Sequence, residues 1–315
     1  MEKSEWIWMN GEFVRWDDAR LHVLSHGLHY GTSVFEGIRC YETDRGPGVF
    51  RHREHLERMR DSAELYQLPL PYRIDEIREA THELIRRNAL RSCYVRPIAF
   101  RGYGETGLYA PNVPVEMVVA AYPWGVYLGE EGKRNGVRAT VSSWRRISPS
   151  GLIPHAKASG QYLNSVLAKT EAANAGYEEA ILLDERGFVC EGSGENIFIV
   201  RDGEIATPPQ VASILDGISR RSVIQIARDL GYPVVERDVA RAELYLADEA
   251  FFTGTATELA PVRSVDEHDL GEPGEITRQL QNKFEDALYG RAEEYLEWLD
   301  LVEQPSVERP SKVTS

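Results

Sequence analysis

Lys157 is the first residue of this sequence whose setting suggests chemistry. The chain has six lysines against thirty arginines, and from Ile147 to Ala168 the only charged side chain is that of Lys157. Ala156, Ala158, Ser159 and Gly160 flank it, so a bulky ligand can approach its amine. A desolvated lysine loses its proton more readily and can form a Schiff base with an aldehyde. The bland alternative is a lysine snorkelling at the start of a helix. Glu191 ends the apolar stretch Phe188-Val-Cys-Glu and runs at once into Gly192-Ser-Gly194-Glu195-Asn196, a bend in which a carboxylate can face a pocket. Asp216-Gly217-Ile218-Ser219-Arg220-Arg221 opens a helix, and Gly254-Thr255-Ala256-Thr257 is a small-residue turn after Ala250-Phe251-Phe252. Both offer free backbone N–H groups to an anion. Each segment alone is a common loop; together they supply an amine, a carboxylate and two anion cradles.

Other patterns are weaker. Gly102-Tyr-Gly104-Glu-Thr-Gly107 has the G-x-G-x-x-G spacing of a nicotinamide dehydrogenase, but such a fingerprint must open a helix, and Pro111 and Pro114 forbid one here. His22, His26 and His29 could share a helical face, yet no Cys or acidic partner follows at ligand spacing, so satisfied or solvated histidines are expected and no metal. No G-x-S-x-G elbow marks a serine hydrolase.

The elements that must position these residues alternate. Asn10-Gly11 between two apolar runs predicts an opening hairpin. Strands are expected at 34–42, 93–100 and 115–122 with helices near 52–66 and 75–88, an α+β arrangement that is mostly antiparallel. Turn-rich residues 123–136 suit a linker. Beyond it come a helix near 161–175, strands at 178–184, 188–191 and 196–200, and helices near 217–231 and 274–297. The division is a small domain 1–122, a linker 123–136, a larger domain 137–302 and a disordered tail 303–315.

A formal charge of −14 argues against nucleic acid and anionic membranes as partners. Three cysteines without a CxxC spacing suit a reducing cytoplasm, and neither a signal sequence nor a membrane span is apparent.

An amine for an aldehyde, an acid for a pyridine nitrogen and donors for a phosphate are what pyridoxal 5′-phosphate requires. The order Lys157-Ala-Ser-Gly-Gln-Tyr162-Leu-Asn, Glu191-Gly-Ser-Gly-Glu-Asn196, Gly217-Ile-Ser219 and Gly254-Thr255-Ala256 resembles the fold-type-IV pyridoxal-phosphate enzymes, and among them the branched-chain amino acid aminotransferases. His29-Tyr-Gly-Thr-Ser-Val-Phe-Glu-Gly-Ile-Arg39 and Phe50-Arg-His-Arg-Glu-His-Leu-Glu-Arg58 extend the likeness over nearly the whole chain.

The resemblance implies a small α/β amino-terminal domain, a larger domain with a β-barrel-like core, and amino-group transfer between branched-chain L-amino acids and 2-oxoglutarate. It implies Lys157 as Schiff-base lysine and proton carrier, Tyr162 on the cofactor's phenolate and Glu191 at its ring nitrogen. Arg58, Gly217, Ile218, Ser219, Gly254 and Thr255 would hold the phosphate, with Leu215 against the ring. Tyr94, Thr255 and Ala256 would take the substrate's α-carboxylate. Tyr30, Phe35, Gly37, Trp124 and Tyr127 would line the side-chain pocket, and Arg96 would meet the distal carboxylate of glutamate. The 102–111 loop would bring Leu108 into a neighbouring subunit of a homodimer or hexamer, and it carries Thr106 and Tyr109 where many relatives have methionine and asparagine. Other outcomes on the same cofactor, an aminodeoxychorismate lyase or a D-amino-acid or R-amine transaminase, share Lys157 and Glu191 and differ in the pocket.

Overall fold

The computed structural model describes residues 2–125 and 129–303. Trp6–Met9 and Glu12–Arg15 form the opening hairpin, and Asn10 and Gly11 both take positive φ (51° and 94°), as a two-residue turn between right-twisted strands requires. The hairpin edges an eight-stranded antiparallel sheet. Its order is Leu299–Leu301, Gly46–Phe50, Ile38–Thr43, Cys93–Arg101, Val115–Tyr122, Trp6–Met9, Glu12–Arg15, with Ser33–Phe35 also paired to Cys93–Arg101. Helices His52–Leu65 and Ile74–Arg87 cover it, burying Leu56, Met59, Ile77, Leu84 and Ile85 with Ile38, Val49, Val95 and Val119. Each such side chain contributes about 1.5–3 kcal/mol relative to exposure.

The expected strand 34–42 is two pieces, Ser33–Phe35 and Ile38–Thr43, separated by Glu36 and Gly37. Ser33–Phe35 pairs with residues 98–100 and Ile38–Thr43 with residues 93–95, which leaves the break opposite Arg96 and Pro97. Proline has no N–H for the ladder.

The second sheet closes on itself. Val189–Gly192, Glu179–Leu183, Val137–Arg145, Glu258–Val265, Glu249–Gly254 and Asn196–Arg201 form a ring that is completed by the pairing of Glu191 with Asn196. This is the β-barrel-like core. Ile218–Asp229 and Glu275–Leu288 pack on it, and their Ile226 and Phe284 share one core with Phe198, Phe251 and, from the first sheet, Tyr41 and Phe50. Tyr162–Asn174 buries Ala168 and Ala172 against Ala180 and Leu182.

The helix expected over 274–297 ends at Leu288, because Gly290 turns into the left-handed region (φ 70°). A 3-10 segment, Glu293–Trp298, follows, and Leu299–Leu301 returns to the first sheet, across the expected domain division. The described part of the expected linker contains the helix Gly129–Asn135, and residues 126–128 lie outside the described residues. So do residues 304–315 of the expected disordered tail. Residues 102–107 open no helix. His26 is satisfied through Thr32 Oγ1 (2.8 Å) and the Gly107 carbonyl (2.9 Å). Among the described residues no helix is long and apolar enough to cross a membrane.

Candidate active site

The barrel seam sets the site. Glu191, Asn196 and Thr253 stand side by side on three neighbouring strands. They open into a cleft that Lys157, Tyr162, Leu215, Gly254 and Thr255 also line. Helix Ile218–Asp229 points its amino end at the same cleft, and the N-cap Gly217 makes no side-chain cap, which leaves the first-turn N–H groups of Ile218 and Ser219 for an anion. Only glycine fits at 217: a Cβ there would stand 2.0 Å from Asn196 Oδ1.

Lys157 reaches the cleft from an extended segment just ahead of the 3-10 turn Ser159–Gln161. Backbone bonds fix that segment: the Lys157 N–H donates to Ser62 Oγ (2.9 Å), and the Lys157 carbonyl accepts from the Phe35 N–H (3.0 Å). Lys157 Nζ donates to the Tyr162 hydroxyl (2.9 Å) and lies 5.3 Å from the centre of the Phe35 ring.

Glu191 is buried among donors. Oε1 accepts from Arg146 Nε (2.7 Å), while Oε2 accepts from the Leu215 N–H (3.0 Å) and Asn196 Nδ2 (3.1 Å). Burial pushes its carboxyl above the ordinary range, against Arg146 and the Leu215 N–H, which pull it down. A carboxylate has about four acceptor sites. Three are taken here, and the remaining one suits a protonated nitrogen in the cleft.

Arg58 is aimed by a carboxylate behind it. Its Nε and Nη2 donate to the two oxygens of Glu36 (2.7 and 2.8 Å), and Nη1 donates to the Asp216 carbonyl (2.9 Å). His55 Nδ1 also meets Glu36 (2.8 Å). Burial would raise the Glu36 carboxyl, but Arg58 and His55 overcome that and hold it well below the usual range. Burial pushes His55 down to about 4, so it is neutral at neutral pH and serves as an N–H donor. His52, His55, Arg58 and Ser62, spaced three to four apart along one helix, let it align Arg58 and Lys157 together.

Against this base stands an aromatic wall. The Phe35 ring packs edge-on to Tyr162 (4.9 Å), and the Arg96 guanidinium lies 4.7 Å over Phe35 and 5.1 Å over Tyr94. Arg96 Nη2 donates to the Tyr94 hydroxyl (3.1 Å), whose pKa burial raises to about 12. Trp124 packs on Tyr94 (5.1 Å), and its buried indole Nε1 has no partner among the described residues. Gly37 is required because a Cβ there would stand 1.9 Å from the Tyr94 hydroxyl oxygen. Ala256 sits in the turn between Gly254 and Glu258.

Two expected pocket residues are elsewhere in the single chain. Tyr30 ends the five-residue helix His26–Tyr30, is 45% exposed, and lines a separate cavity with Gly160 and Gln161. Its own chain therefore does not bring it to Lys157, because Gly31 (φ 66°) turns the backbone away after it. Leu108 is 88% exposed on the 102–111 loop. Tyr127 lies outside the described residues. Sequence reasoning passed over Glu36, His55, Ser62, Arg146 and the role of Asn196. For Glu36, His55 and Asn196 there was a signal, since all three lie inside the quoted motifs; Ser62 and Arg146 lie outside them.

A lysine, a buried acid and a phosphate-sized cradle at a barrel seam define a class IV amino-transferase, whose family model matches residues 33–265. The branched-chain-amino-acid aminotransferase of Escherichia coli K12 is 49% identical over 306 residues, spanning 96% of this chain and 99% of the relative. A crystal structure of the Escherichia coli branched-chain amino acid aminotransferase superposes with a TM-score of 0.94 at 48% identity, over 96% of this chain and all of that one. The branched-chain amino acid aminotransferase of Thermobaculum terrenum, in its PLP-bound holo form, gives 0.90 at 38%, again over 96% of this chain and all of that one. The chain belongs to the branched-chain-amino-acid aminotransferase family, and it is a transaminase.

Proposed function

We propose that the enzyme binds pyridoxal 5′-phosphate and moves an amino group between leucine, isoleucine or valine and 2-oxoglutarate, one substrate leaving before the other enters. The donor set suits the cofactor: Arg58 and the N–H groups of Ile218, Ser219 and Thr255 for a phosphate, Tyr162 for a phenolate, Glu191 for a ring nitrogen, Leu215 against the ring. When bound, the cofactor supplies an aldehyde that amines attack and a ring that stores an electron pair. Lys157 Nζ takes the proton from the substrate's α-carbon and later returns one, a task its cleft-facing amine can perform. Tyr94, Thr255 and Ala256 orient the α-carboxylate. Phe35, Gly37 and Trp124 exclude water from the side-chain end.

One observation carries the choice of substrates: Arg96 lies against an aromatic wall, donates to the Tyr94 hydroxyl, and has no carboxylate partner among the described residues. Its stem can line an aliphatic pocket, and its guanidinium can pair with glutamate's distal carboxylate, which could not be buried alone. Arg96→Met is expected to weaken the glutamate half-reaction by about 2 kcal/mol, the lower end for a desolvated pair because Arg96 is only half-buried, with leucine little changed. Single-turnover kinetics with each amino acid test this. Equal losses for both would reject the dual-recognition role, and a wild-type enzyme that converts neither would reject the substrate assignment.

The reading includes at least a homodimer. Leu108 and Tyr30, exposed in one chain, then complete a neighbouring subunit's pocket. Light scattering on the active enzyme is expected to give no monomer; an active monomer would sink this part of the proposal.

A further inference from the structure

The turn that presents Thr255 and Ala256 has an unusual closing residue. Strands Glu249–Gly254 and Glu258–Val265 are antiparallel with Gly254 opposite Glu258, so Thr255, Ala256 and Thr257 are a three-residue hairpin loop. Such loops need one residue in the left-handed region, where glycine is the ordinary choice. Here Glu258 takes that conformation, at φ 60°. A side chain persists in such a backbone where its surroundings over-determine it.

The surroundings of Glu258 come from outside the hairpin. The side chain is buried; Oε1 accepts from the Tyr41 hydroxyl (3.2 Å) and faces Arg39 Nη1 (3.5 Å), and Oε2 accepts from Lys133 Nζ (2.7 Å). Arg39 and Tyr41 belong to strand Ile38–Thr43, which begins directly after Gly37. Lys133 belongs to helix Gly129–Asn135, which follows the segment that leaves Trp124. A single carboxylate thus joins the tip of the hairpin to the strand that starts at the Gly37 wall and to helix Gly129–Asn135. A purely local turn would be better served by glycine.

We infer that Glu258 is a positioning residue of the active site: its carboxylate sets the 254–257 turn against strand Ile38–Thr43 and helix Gly129–Asn135, so that Thr255 and Ala256 meet a substrate's α-carboxylate at a fixed distance from the Gly37 wall. This rests on the reading of that turn as the α-carboxylate site. Three partners of two kinds, two cations and a phenol, match both oxygens of the carboxylate and compensate its burial. Neutral glutamine keeps the shape but leaves Arg39 without its counter-charge and Lys133 with only the longer contact to Glu285 (3.6 Å).

The test uses the pyridoxal-phosphate-loaded enzyme and 4-methylvalerate, a leucine-shaped acid with no amine to react, with binding measured by calorimetry beside thermal melting. Glu258→Gln is expected to weaken 4-methylvalerate binding about tenfold, a loss of the size that slight misplacement of a binding group produces. The KM for leucine should rise with it while kcat stays within roughly twofold, the split expected when ground-state binding is lost. Tyr41→Phe removes one donor and keeps the packing, and it is expected to weaken binding roughly threefold. Unchanged affinity in Glu258→Gln, whatever its melting temperature, overturns the inference; if that variant does not fold, unchanged affinity in Tyr41→Phe overturns it instead. A wild-type enzyme that binds no 4-methylvalerate overturns the reading of the turn and the inference together, which separates that failure from failure in the variants alone.

Discussion

Lys157→Ala is expected to retain its fold and lose turnover by at least about four orders of magnitude, some 5 kcal/mol or more of transition-state stabilisation. The fold is safe because the side chain makes one hydrogen bond, to the Tyr162 hydroxyl, and the backbone of the segment is held independently of it. The segment is held by the Lys157 N–H on Ser62, by its carbonyl on Phe35 and by the bridge between Ala158 and Val34, all of them unchanged by alanine. The amine, by contrast, has no substitute: Lys169, the nearest lysine in sequence, donates to Glu179 and the Glu178 carbonyl, at the start of strand Glu179–Leu183. Borohydride treatment of the loaded wild-type enzyme should label the Lys157 peptide, and no label should appear in the variant. Melting curves that superpose while single-turnover conversion vanishes would complete the result. Substantial turnover in Lys157→Ala, or a label on Lys169, would remove Lys157 from the chemistry.

How much of this was legible depended on whether a residue's meaning was local. Lys157 declared itself because the window around it holds no other charge, so its isolation could be counted along the chain. The hairpin at Asn10-Gly11 was equally local, since the turn chemistry is carried by two residues. Glu36, Arg146 and Glu258 are different. In a chain more than a quarter charged, one more glutamate or arginine is unremarked in sequence, and its importance comes from burial against residues 22, 45 or more than 200 positions away. Arg58 shows both sides: alone it was one charge on a polar helix, its role was implied only by the resemblance, and the reason it can serve, Glu36 behind it, required the fold. The broken strand at Glu36-Gly37 escaped notice because its cause, Pro97, sits on the partner strand. The motif that carries Tyr30 does not show that, within the single chain, helix His26–Tyr30 leaves it 45% exposed beside a separate cavity.

Glu191 carries the second large effect. Its two oxygens face only donors, so the buried carboxylate is matched to positive partners on every side: Arg146 Nε, the Leu215 N–H and Asn196 Nδ2 within the protein, and one free acceptor site toward the cleft. Glutamine in its place keeps the volume but loses the charge, and its NH₂ must confront one of these donors. If the amide oxygen stays with Leu215 and Asn196, the NH₂ faces Arg146, whose buried guanidinium then lacks its carboxylate; turned the other way, the Leu215 N–H is left unpaired. Either arrangement removes the negative charge that favours a proton on the cofactor's ring nitrogen, so the effect falls mainly on the chemical step. Glu191→Gln should therefore lower kcat by roughly two to three orders of magnitude, about 3–4 kcal/mol, as when one preorganised electrostatic contact is removed. Cofactor affinity should change far less, because Arg58 and the first turn of Ile218–Asp229 are untouched. Titrating the apoenzyme with pyridoxal phosphate and following single turnovers with leucine separates the two quantities, and near-normal turnover in Glu191→Gln would mean that the ring proton is held by something other than this carboxylate.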